Sequence, residues 1–161
     1  MLTQVEGRSR AAAIKWLTEQ PAPWRAGIRH VTIDLSASCA KAVRDALPDA
    51  VLIADRFHVV RLANDMLTQV RQRVIRENHG RRGRKIEPAW AARRRLLTGY
   101  ERLRAESFTQ MWNSLIDTGD EGVQIRLAYS VKEELRSLLT LVVGTNAERH
   151  LIRNRLDSFC Q

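Results

Sequence analysis

Cysteine is nearly missing from this chain. Cys39 and Cys160 are the only two, far apart and outside any CxxC spacing. That argues against a disulfide framework or a zinc site and for a reducing compartment. Long hydrophobic runs are missing as well. No stretch approaches the roughly 20 apolar residues that span a bilayer, and the first residues show no signal-peptide pattern. The expected location is therefore cytoplasmic, with no membrane partner. Internal repeats and low-complexity segments are absent too. What remains is 161 residues, 44% hydrophobic and 28% charged, enough for one domain with a real core.

Acidic residues are scarce in one place in particular. Residues 61–104 carry thirteen Lys/Arg against four Asp/Glu, a balance of +9, which equals the net charge of the whole chain. Residues 1–60 balance to +2 and residues 105–161 to −2. A basic excess confined to one segment is the footprint of a polyanion partner. Nearly all of these cations are arginine, whose planar fork suits phosphate better than simple solvation requires. A solvated helix face is the plainer alternative.

Residues 31–60 organise the rest. Val31-Thr32-Ile33 is a β-branched run ending in Asp34, and Val51-Leu52-Ile53-Ala54 is a second apolar run ending in Asp55. Between them Ala37, Ala40, Val43 and Leu47 fall at helical spacing, and Pro48-Asp49 supplies a stop. Strand, amphipathic helix, strand predicts a parallel βαβ unit. Both aspartates then stand at the carboxyl ends of adjacent strands, where open α/β sheets bind ligands. Their carboxylates should lie roughly 5–10 Å apart and favour a cation between them. Strand-end aspartates also serve simply as turn or helix-cap residues.

Elsewhere the pattern predicts helices. One follows Ser9 and stops near Gln20, before a turn at residues 21–27. A long one runs from His58 to Glu77, with Val59, Ala63, Met66, Val70 and Val74 on its stripe, Leu62 and Leu67 beside it and Arg71 off it. Residues 79–87 read as a mobile, glycine-broken basic loop. Pro88 opens a helix to about Ala105. Ser107 with Gln110 is a capping-box pattern opening the next. Another spans about Glu121 to Val142, and a last one is opened by a Thr145/Glu148 box. Trp16, Trp24, Trp90 and Trp112 are expected as core anchors, and Phe57 as core. Two strands are few for a sheet, which normally has about four to six.

Asp55-Arg56-Phe57-His58-Val59-Val60, with the Leu47-Pro48-Asp49-Ala50 turn and Val31-Thr32-Ile33-Asp34 upstream, resembles the DDE transposases of bacterial insertion sequences, the L-three type. The likeness continues in order through Arg61-Leu62-Ala63-Asn64, Val70-Arg71-Gln72-Arg73, Gly80-Arg81-Arg82-Gly83-Arg84-Lys85 and Lys132-Glu133-Glu134-Leu135-Arg136. The resemblance implies an α/β fragment of an RNase H-like core. Its two parallel strands in residues 1–57 are followed by a mostly helical insertion in residues 58–161.

It further implies DNA transposition by strand cleavage and transfer, with Mg²⁺ or Mn²⁺ held by two aspartates and a glutamate. Asp34 takes the place of the second aspartate, as catalytic residue and metal ligand. The first and third acids would lie outside the chain, so a piece truncated at both ends and inactive alone is expected. Glu133 and Glu134 read as exposed helix charges rather than substitutes. Asp55 and His58 resemble a supporting D-x-x-H pair, though a capping Asp and a packed His fit equally.

The DNA contacts expected are Arg56, Arg81, Arg82, Arg84, Lys85, Arg93 and Arg94, on double-stranded DNA. The chain could act as a homo-oligomer or in mixed assembly with full-length transposase. The rival reading is a non-catalytic, basic, helical DNA-binding or regulatory protein.

Overall fold

A computed structural model describes residues 9–141 and 146–160, and the chain divides into two compact units, Met1–Val59 and Val60–Gln161. The Thr145/Glu148 cap expected from sequence lies outside the described residues.

The first unit contains α1 (Arg10–Glu19), α2 (Ala22–Ala26), β1 (His30–Ile33), α3 (Ala37–Ala46) and β2 (Val51–Ala54). The Ser9 hydroxyl accepts the Ala12 N–H at 3.2 Å, satisfying one orphan donor at the start of α1. Ser36 does the same for α3 through the Cys39 N–H at 3.4 Å. Residues 21–27 were expected as a turn; they form the short α2 instead. Its prolines sit in the first turn, where a missing N–H costs nothing and φ is already set. β1 and β2 pair in parallel, with His30 opposite Val51 and Ile33 opposite Ala54. The α3 crossover joins them, as parallel strands require. Alternation along the strands turns Val31, Ile33 and Leu52 toward a small core of Val43, Ala46 and Leu47. Val51 and Ile53 face the other way and are exposed.

The second unit is built from most of α4 (Arg56–His79), then α5 (Pro88–Ala91), a 3₁₀ turn at Tyr100–Arg102, α6 (Ala105–Ile116), α7 (Asp120–Thr140) and α8 (Asn146–Phe159). α4 stops where Gly80 takes φ +65, a value that costs a side-chain-bearing residue energy. α6 and α7 form a hairpin. A Cβ at Gly122 would collide with the Leu115 carbonyl, so only glycine allows that approach. Leu67, Ile75, Leu96, Met111, Leu115 and Ile125 make one core. Each such side chain contributes about 1.5–3 kcal/mol by leaving water. No helix of the described residues is long and apolar enough to cross a membrane.

Two helix expectations fail here, and a third holds in part. On α4, Ala63 and Val74 of the expected stripe and Leu67 beside it are buried, and Met66 and Val70 pack against the core, but Leu62 is exposed and Arg71, placed off the stripe, is inside with Ile75. Ser107 does not cap a helix, because α6 already begins at Ala105. The helix expected from Pro88 to Ala105 ends at Ala91. Beyond it the chain falls to tight turns, with Leu97 and Thr98 donating three residues back.

Lys132 packs against the far end of those turns. Its ammonium is fully buried and takes the Leu96 and Thr98 carbonyls at 2.7 and 3.1 Å, with the Glu133 carboxylate at 2.6 Å. Those two carbonyls are thereby tied to α7. Glu133 is correspondingly no exposed charge: it also pairs with Arg136 and accepts the Tyr100 N–H. Replacing Lys132 with Met should leave two carbonyls and a carboxylate without their partner, at a cost of about 3 kcal/mol. A urea unfolding curve with an unchanged midpoint would rule this out.

Candidate functional site

The β1–β2 register fixes the acid end of the first unit. Asp34 and Asp55 each follow the last paired residues, Ile33 and Ala54, so they stand at the same carboxyl end. The ladder reaches one step further, since the Asp55 N–H donates to the Ile33 carbonyl at 2.8 Å. Asp34 is exposed, and among the described residues nothing donates to its carboxylate.

Asp55 is engaged. One carboxylate oxygen accepts the Phe57 N–H at 2.9 Å and the other lies 3.2 Å from His58 Nδ1. This is a helix cap on α4 reinforced by an i,i+3 side chain. The Phe57 N–H bond chiefly, with help from His58, holds the Asp55 carboxyl below the usual aspartate range. Phe57 was expected in the core; it is 68% exposed and meets the His58 ring edge-on at 5.6 Å. An apolar ring on the first turn of α4, outside the small core, has little to bury it. Trp24 is likewise no buried anchor: it lies 44% exposed, edge-on to Trp16.

The cations expected to contact DNA sort by what already holds them. Arg56, Arg82, Arg84, Lys85 and Arg94 are exposed. Arg81 is paired with Glu87, which also accepts the Arg84 N–H at 2.8 Å. Arg93 lies 3.4 Å over the Trp90 ring and donates to the Trp90 carbonyl. The loop after α4 is thus pinned by Glu87 rather than free. Gly83 seats it against Ile75 and Trp90, where a Cβ would be 3.1–3.2 Å from their side chains. The loop and α4 enclose a recess of about 430 Å³ lined by Arg71, Arg76, Arg81, Arg82 and Trp90. Arg71 escaped the sequence reading, although its spacing from Leu67 and Ile75 sets it on the buried stripe. A charged residue at such a position is the signal that could have found it.

His79 sits 3.1 Å from the buried carboxylate of Glu121. Among the described residues no group of three or more His, Cys, Asp or Glu could hold a metal ion.

A family model of the ISL3 DDE type, described as transposase, matches residues 1–161, the whole chain. No curated protein and no solved structure matches it.

The Asp55 cap carries a pH signature. Its folded pKa is depressed, so its contribution is fully present above the ordinary value of 3.8 and is lost as pH falls through the lower folded value. The Phe57 amide resonance should titrate with a midpoint below 3.8. A midpoint at or above that value would show that the cap does not hold the carboxylate.

Proposed function

The chain belongs to the ISL3-type DDE transposase family, and we propose that Asp34 is its metal-binding catalytic acid, on a strand pair belonging to an RNase H-like core. The family works on DNA and uses divalent metal ions. The observation that carries the proposal is the parallel register, which sets Asp34 and Asp55 at one end of the strand pair. Residues 1–57 are read as part of the catalytic core and residues 58–161 as a helical insertion. The division of the chain near Val59 supports that partition.

Asp34 suits a hard divalent ion. Its carboxylate is exposed and, among the described residues, uncommitted, and such ions bind through one or two carboxylates plus water and substrate phosphates. When bound, a divalent ion activates the attacking oxygen and steadies the leaving oxygen at a phosphate. Either Mg²⁺ or Mn²⁺ meets that description. Asp55 spends both oxygens on the start of α4, so its part is to hold the strand end and orient His58. It is a positioning residue here rather than a second ligand. Arg56 and the exposed cations Arg82, Arg84, Lys85 and Arg94 supply phosphate contacts on double-stranded DNA, which give affinity without sequence preference. Arg81 and Arg93 reach DNA only by loosening their present pairings.

A basic helical DNA-binding or regulatory protein without catalysis is the second reading. The confinement of the whole charge excess to residues 61–104 favours it.

Mn²⁺ titration separates the two. Paramagnetic broadening should concentrate on the amides of residues 33–35 and 55–58 and vanish in Asp34→Asn. Broadening that is absent, or indifferent to that substitution, would remove Asp34 from the metal site. Duplex DNA binding should weaken with salt by about 0.9 log units per neutralised phosphate per decade. Replacing Arg82, Arg84 and Lys85 by Ala should flatten that slope by roughly two to three units. An unchanged slope would move the contact off this loop.

A further inference from the structure

Arg71 lies on α4 with only 9% of its surface exposed, and among the described residues its guanidinium makes no hydrogen bond or ion pair. Its neighbours make matters worse. Burial first, and the charge of Arg93 second, work against its ionised form, yet an arginine does not give up its proton in a protein. Arg71 lines the recess of about 430 Å³ shared with Arg76, Arg81, Arg82 and Trp90. Glu87 compensates Arg81. Arg76 and Arg82 have no acidic partner among the described residues, and no carboxylate lines the recess. A buried fork-shaped cation without a counter-charge, in an open recess ringed by further cations, has the geometry and charge that suit an anion.

We propose that this recess is a seat for one phosphate group of a DNA backbone, gripped by Arg71 at its floor and by Arg76 and Arg82 at its rim. The inference rests on the DNA-binding reading above and deepens it: one contact is recessed and geometrically defined, whereas the loop cations touch phosphate only at the surface. The dimensions fit, since a phosphodiester with its flanking sugars needs a small fraction of a typical ligand pocket. The chemistry fits as well. Arginine offers two parallel N–H donors to two phosphate oxygens, and lysine cannot. Trp90 forms the apolar wall, with Arg93 already on its ring. The same seat would accept free inorganic phosphate, so the two sources must be told apart by experiment.

The full chain is titrated with inorganic phosphate, followed by thermal melting and by tryptophan fluorescence, and separately with duplex DNA at fixed salt. Phosphate should raise the melting temperature of the wild type, because a ligand of the folded state stabilises by mass action. Arg71→Met should abolish the phosphate shift and weaken DNA binding about tenfold. Without phosphate it should melt no lower than the wild type, since an uncompensated charge has gone. A merely structural Arg71 would instead lose stability. Arg71→Lys, which keeps the charge but not the fork, should fold and bind phosphate weakly, and it decides the question if the Met variant does not fold. Phosphate should also displace DNA from the wild type and not from Arg71→Met.

A wild type indifferent to phosphate, or Arg71 variants that bind it normally, would overturn the seat. DNA binding that persists with its full salt slope in those variants would overturn its use by DNA while leaving the loop contacts standing. Phosphate binding lost with Arg71, in a chain that binds no DNA, would keep the seat and refute the DNA reading.

Discussion

A cation taken out of water has to find its counter-charges inside the protein, and the helical unit meets this demand twice with opposite results. Lys132 meets it in full. Two carbonyls and a carboxylate surround the ammonium, and it lies 4.3 Å over the Tyr129 ring. Desolvation still pushes its pKa down, with Glu133 working the other way. Further polar contacts adjoin it: Glu133 accepts the Tyr100 N–H, and Arg136 pairs with Glu101. Tyr129 is pressed into the same interior, and burial raises its phenol well above its usual value. Arg71 meets the demand with nothing the described residues supply. Two buried cations with unequal compensation are the clearest asymmetry in the unit. Structural ion networks are closed, whereas an open one faces a cavity.

Local chemistry made much of this chain legible. β2 falls on residues 51–54 as its apolar run required, and β1 within a residue of expectation. Their parallel pairing followed from the helix between them. Serine caps at Ser9 and Ser36, and the glycine stop after α4, are set by residues within a few positions. Reading failed where a distant residue decides. Between Pro88 and Ala105 the one breaker, Gly99, lies well past the stop at Ala91, and the turns that follow are tied to Lys132, more than thirty positions on, through the Leu96 and Thr98 carbonyls. On α4 most of the expected stripe is inside, but its edges shift to take in Arg71 and leave Leu62 out, because the facing elements, not the helix, choose them.

The acid end was legible in placement and less so in commitment. Spacing could put Asp34 and Asp55 at one end of a strand pair. It could not say that Asp55 would spend both oxygens on α4 while Asp34 would spend none. The difference comes from position. Asp55 directly precedes α4, where orphan N–H groups wait. Asp34 is separated from α3 by Leu35 and by Ser36, and Ser36 takes the capping role. One serine therefore leaves one carboxylate available. A Ser36→Ala change would invite Asp34 to substitute as a cap, which makes Ser36 relevant to the site without contact with any ligand.

The phosphate contacts also divide by physics. On the proposed reading, cations on the exposed loop would attract DNA through solvent, and at physiological ionic strength such attraction fades beyond about 8 Å. They select for charge and for little else. A guanidinium recessed among apolar side chains is screened far less, and its fork admits only a group with oxygens at the right separation. The first kind of contact brings a polyanion near. The second fixes where along the backbone it stops, without reading a base. On the proposed reading, a recessed guanidinium would therefore add register where the loop cations add only proximity, because a group held by two parallel hydrogen bonds has its orientation fixed as well as its charge matched.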